Sequence, residues 1–82
     1  ILMPTVLRTD GFSFRIRTRD HGPPHVHVFH GGDEVVILLG DDVELPSIRD
    51  IRGMPLRRMR AALELAALNQ EFLLDEWKKI YE

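Results

Sequence analysis

With 82 residues and no cysteine, the chain has room for one domain with one modest core, and it excludes disulfides and thiolate metal sites. Its apolar share of 44% and charged share of 29% are those of an ordinary globular protein. No apolar run approaches the ~20 residues of a membrane-spanning helix, and no stretch has the regions of a signal peptide. A cytoplasmic location without membrane contact is therefore expected, and the net charge of −2 is too small to name a partner.

The order of the charges says more. Arg8, Arg15, Arg17 and Arg19 come first, Asp33, Glu34, Asp41, Asp42 and Glu44 follow, and Arg49, Arg52, Arg57, Arg58 and Arg60 form a second basic cluster. Residues 4–8 are short and β-prone. Asp10-Gly11 is a tight-turn signal, and residues 12–18 then alternate. Phe12, Phe14 and Ile16 take one face there, with Ser13, Arg15 and Arg17 on the other.

Next comes Asp20-His21-Gly22-Pro23-Pro24-His25-Val26-His27-Val28-Phe29-His30, which holds every histidine of the chain. Each proline removes an amide donor and fixes its own φ, so Gly-Pro-Pro cannot continue a helix. The residues before the prolines are pushed toward extended backbone. Residues 25–30 then alternate polar and apolar, the period of a half-buried strand, which puts His25 and His27 on one face and Val26 and Val28 on the other. After the Gly31-Gly32-Asp33 turn signal, residues 34–39 read as a further strand.

Between Val43 and Gly53 the signals conflict. Ser47 with Asp50 three residues on resembles a helix cap, yet Ile48 and Ile51 are too few to set a period, so this stretch carries no assignment. From Pro55 the apolar residues recur at helical steps as far as Tyr81, which predicts a helix over residues 55–81. The fold class is α+β: an antiparallel β-meander of three to four strands, then one long C-terminal helix packed on one sheet face, as a single domain over residues 3–82. About 26 helical residues span about 39 Å, more than such a sheet can cover, so the far end is expected to meet a second subunit in a homodimer.

If the second and third strands pair as neighbours, Arg15, Arg17, His25 and His27 line one uncovered face. Three readings follow. Two histidines at i and i+2 can reach one divalent ion, with His21, Asp20 or His30 as a third ligand, although arginines beside a dication cost energy unless an anion binds too. Alternatively, His25 and His27 exchange protons while Arg15 and Arg17 hold phosphate, as a metal-independent ribonuclease requires. The third reading assigns no chemistry, because an open sheet face is ordinarily polar. The position that would complete the alternating triple-histidine motif of nucleotide hydrolases is Phe29, which sets that chemistry aside. Arg57, Arg58 and Arg60 open the predicted helix, where the macrodipole disfavours cations; with Arg49 and Arg52 they form a candidate site for an anionic partner.

Met3-Pro4-Thr5-Val6-Leu7-Arg8, Asp10-Gly11-Phe12, His21-Gly22-Pro23-Pro24-His25-Val26-His27-Val28 and Phe72-Leu73-Leu74-Asp75-Glu76-Trp77 resemble the small bacterial family catalogued as domain of unknown function 4160. The resemblance covers nearly the whole chain from Met3, and Pro-Pro-His-Val-His is its specific part. It carries His21, Pro23, Pro24, His25 and His27 over as motif residues, and it implies a toxin–antitoxin module with a cognate small protein partner. The leading expectation is such a component acting on RNA through His25, His27, Arg15 and Arg17, with no cofactor favoured. One alternative is a non-catalytic protein- or DNA-binding module that dimerises through its helix and binds through the basic cluster. Another is a small metalloprotein with a divalent ion at His21, His25 and His27.

Overall fold

The structure is a computed structural model that describes residues 2–20, 22–41 and 43–81. Five strands, β1 (Thr5–Thr9), β2 (Phe12–Arg15), β3 (His25–His30), β4 (Asp33–Leu38) and β5 (Ser47–Arg52), pair in chain order as an antiparallel meander. Two helices follow, α1 (Leu56–Leu68) and α2 (Gln70–Tyr81). The α+β meander with helices after it matches the expectation from the sequence. The strand count and the single helix do not.

The additional strand lies in the unassigned stretch. β5 is an edge strand whose residues are mostly exposed, so burial imposes no alternation on it and the periodic signal is missing. It also carries a bulge: Val36 pairs with Asp50 and Ile37 with Ile48, which leaves Arg49 as the extra residue. β2 ends at Arg15, three residues before the expected end, although the Ile16 and Thr18 amides still donate to Pro4 and Leu2 at 3.2 and 2.8 Å.

The helix divides at Asn69. Its side-chain amide donates to the Leu65 carbonyl at 2.8 Å and its backbone amide donates to the same oxygen at 3.1 Å. Such side-chain competition for helix carbonyls is the reason asparagine favours helix ends. The division removes the length argument for a second subunit, because two shorter helices both reach the sheet: Ala62 and Ala66 of α1 and Leu73 and Trp77 of α2 are buried. Pro55 is the residue before α1 rather than its first turn.

The hairpin turns follow the sequence signals. Asp10 and Gly11 both have positive φ, 51° and 83°, as a two-residue turn that matches strand twist requires. Cross-strand partners put Phe14, Val28 and Val35 on the sheet face that forms the core with both helices. Burying each such side chain contributes roughly 1.5–3 kcal/mol. On the other face the pairs Arg15–His27, His27–Val36 and Val36–Asp50 form one row across four strands. The register therefore delivers His27 to the middle of the sheet face opposite that core.

Candidate functional site

The site is built where β3 begins. Arg19 and Gly22 take positive φ, 60° and 112°, and this turn sets Asp20 beside the first residues of β3. The far end of α2 holds it there: the Tyr81 hydroxyl donates to the Arg17 carbonyl and accepts from the Asp20 amide at 3.0 Å. Trp77, one helical turn earlier, stacks on Tyr81 at 4.2 Å and meets the His25 ring at 5.2 Å. The expected uncovered face is thus closed at one end, and His25 is 1% exposed between the sheet and Trp77.

Both imidazoles are held by their outer nitrogens. Nδ1 of His25 donates to the Pro23 carbonyl at 3.0 Å, which explains why a proline-fixed turn precedes the strand. Nδ1 of His27 donates to Oε2 of Glu34 on β4 at 2.7 Å. Both Nε2 atoms face the same carboxylate oxygen, Oδ2 of Asp20, at 2.9 Å from His25 and 3.9 Å from His27. Nε2 of His27 is buried and has no hydrogen-bond partner among the described residues. The two rings meet edge-on, 5.3 Å apart.

Electrostatics favour a charged Asp20. Burial works against its charge, but the hydrogen bond and charge of His25, with Arg17 and His27 behind, outweigh it and hold the carboxyl below its ordinary value of 3.8. Asp20, His25 and His27 each offer one donor atom, all within 4.8 Å of one another, so the described residues contain a group able to hold a metal ion. Ligands at ~2.1 Å in a tetrahedron are spaced by about 3.4 Å, a value between the 2.9 and 3.9 Å that separate Oδ2 of Asp20 from the two Nε2 atoms. An Nδ1–H donated to a carbonyl or a carboxylate, as His25 and His27 donate to Pro23 and Glu34, is the usual support of a histidine that binds metal through Nε2.

Above these three residues lies a pocket of 170 Å³ lined also by Arg17, Val36, Arg49, Asp50 and Arg52. Arg52 donates to Oδ2 of Asp50 at 3.2 Å and to Oε1 of Glu34 at 3.4 Å, which links the far rim to the carboxylate behind His27. Arg17 and Arg49 form no ion pair with a carboxylate among the described residues.

The residues expected from sequence are therefore regrouped. His25, His27 and Arg17 come together as the alternation implies. Arg15 pairs with His27 across the sheet but lies over the Phe29 ring at 4.4 Å and does not line the pocket. Arg49 and Arg52 join the histidines, whereas Arg57, Arg58 and Arg60 start α1 apart from the pocket, with Arg58 3.8 Å from Asp33. Among the candidate third ligands, Asp20 is in place. His30 packs on Phe12 at 4.9 Å and belongs to the other end of β3, and His21 lies outside the described residues. Glu34, Asp50, Trp77 and Tyr81 complete the site without a local signal. Only Glu34, cross-strand from Phe29 in the β3–β4 register, was open to inference from the hairpin.

The profile of the family described as "Domain of unknown function (DUF4160)" matches residues 11–78, more than half of the chain. No curated protein and no solved structure matches it. The chain belongs to this family.

Proposed function

We propose that this member of the family is a small metalloprotein in which Asp20, His25 and His27 hold one divalent first-row cation for hydrolytic chemistry. One observation carries the reading. Nε2 of His27 is shut away from water, has no hydrogen-bond partner among the described residues, and faces the same aspartate oxygen as Nε2 of His25. Leaving a buried acceptor unsatisfied costs about 1–3 kcal/mol. A shared cation removes that cost. It also answers a second difficulty: without it, both ring nitrogens of the buried His25 face an oxygen, Pro23 on one side and Asp20 on the other.

Two imidazoles and a carboxylate suit zinc, iron, nickel or manganese, and three protein ligands leave coordination positions open. A cation so held supplies a Lewis acid and a bound water of lowered pKa. The chain's own residues do the rest. Pro23 and Glu34 orient the imidazoles, Trp77 excludes water from one side, and Arg17 and Arg49 line the pocket.

The test is direct, because Trp77 is the only tryptophan and touches a proposed ligand. Titration with Co²⁺, Ni²⁺ or Zn²⁺ should change its fluorescence at one equivalent, and Asp20→Asn and His27→Gln should each abolish that change. A wild-type protein that binds none of these ions stoichiometrically sinks the reading. The second reading, metal-independent RNA cleavage, has its own support in the His27–Glu34 pair, which resembles a base with its orienting carboxylate. RNA cleavage that persists in a chelator and is lost in His27→Gln would favour it.

A further inference from the structure

We infer that the pocket over Asp20, His25 and His27 receives a phosphoryl group, gripped between Arg17 and Arg49. This inference rests on the metal reading above. The pocket lining carries three guanidinium groups and two carboxylates, and Glu34 behind His27 adds a third carboxylate that balances them. A dication makes the site positive, and Coulomb repulsion between it and the arginines is relieved when an anion joins them. The anion is thus part of the site's electrostatic balance.

The two grips differ from the third arginine. Arg52 is committed to Asp50 and Glu34. Arg17 and Arg49 form no ion pair within 4.0 Å among the described residues, and they approach from opposite sides: Arg17 follows β2, and Arg49 is on β5, with β3 and β4 between them. Arg49 reaches the pocket through the bulge. Regular alternation would send neighbours Arg49 and Asp50 to opposite faces, yet both line the same cavity. A bulge re-aims a side chain in this way, and such features cluster beside active sites.

Size selects the class of ligand. At 170 Å³ the cavity is smaller than the roughly 300–1,000 Å³ that encloses a drug-sized ligand, so it takes one group of a substrate rather than a whole one. A tetrahedral oxyanion with several acceptor oxygens matches two guanidinium forks and an open metal position together. Phosphate monoesters and phosphodiesters share this chemistry.

The full chain, loaded with Co²⁺ and checked by Trp77 fluorescence, should be titrated calorimetrically with inorganic phosphate, phenyl phosphate and a dinucleoside phosphodiester. Wild type should bind at least one of them. Arg17→Gln and Arg49→Gln should each weaken that binding about tenfold or more, while Arg60→Gln on α1 should leave it unchanged. Preference for the monoesters assigns a small phosphorylated metabolite, and preference for the diester assigns a nucleic-acid backbone. If Co²⁺ binds but no phosphate does, or if Arg49→Gln behaves like Arg60→Gln, the phosphoryl site is wrong and the metal centre stands. If Co²⁺ does not bind, the metal reading fails and takes this inference with it.

Discussion

Nε2 of His27 stands 3.9 Å from Oδ2 of Asp20, beyond hydrogen-bond reach, in a side chain only 7% exposed, while Nε2 of His25 lies 2.9 Å from the same oxygen. Two imidazoles converge on one carboxylate oxygen and only one of them bonds it. A structural histidine pair would be expected to satisfy both buried nitrogens. The asymmetry makes sense if a third body belongs between them.

Glu34 should tune the site without being a ligand. Its Oε2 holds Nδ1 of His27 at 2.7 Å, and loss of such an orienting carboxylate typically lowers metal affinity 10–100-fold. Glu34→Gln should therefore weaken metal binding by about that factor with an unchanged circular dichroism spectrum. Asp20→Asn should weaken it by more. Equal losses in the two variants would contradict the assignment of ligand and orienter.

Metal should also stabilise the fold. A ligand present at 100 times its Kd adds about 2.7 kcal/mol, and in a domain of this size each kcal/mol raises Tm by roughly 4–8 °C. Thermal unfolding at saturating metal should shift up by about 10–20 °C in wild type. The shift should vanish in Asp20→Asn.

Tyr81 should matter to a site it does not line. Its hydroxyl ties Arg17 and the Asp20 amide to the end of α2. Tyr81→Phe should speed hydrogen exchange at the Asp20 amide and lower metal affinity several-fold, and each lost hydrogen bond should cost about 0.5–1.5 kcal/mol of stability. An unchanged exchange rate at Asp20 would show that the turn holds itself.

Acid should remove a defined part of the metal-free protein's stability. The Asp20 carboxyl titrates below 3.8 in the folded state, because the hydrogen bond and charge of His25 outweigh its burial. Its contribution is thus fully present above the unfolded value and is lost as pH falls through the lower folded one. The difference in unfolding free energy between wild type and Asp20→Asn should be at its full size at about pH 5 and shrink as pH falls through the folded value below 3.8. A difference that grows on acidification would reverse the sign and exclude the pairing.

The core should respond conventionally. Leu73 is fully buried between α2 and the sheet, so Leu73→Ala should cost about 2–5 kcal/mol, whereas Leu68→Ala, at an exposed position, should change stability by less than about 0.5 kcal/mol.

Local chemistry alone determined a good part of this molecule. Asp10-Gly11 demanded a hairpin, period-two alternation placed His25 and His27 together with valines between them, and Pro23-Pro24 stopped any helix before the histidines. These signals act between residues two to four apart, so they can be read without knowing the fold. β5 escaped notice because an exposed edge strand is under no pressure to alternate, and Asn69 divided a periodic helix through a bond that periodicity does not register. The site's remaining parts come from far along the chain. Glu34 arrives through the β3–β4 register, Arg49 through a bulge, and Trp77 and Tyr81 through a helix more than fifty residues after His25. Convergence of a carboxylate, two imidazoles and two guanidinium groups on one pocket is a consequence of sheet register and helix docking, which depend on the packed core as a whole and not on any segment of it.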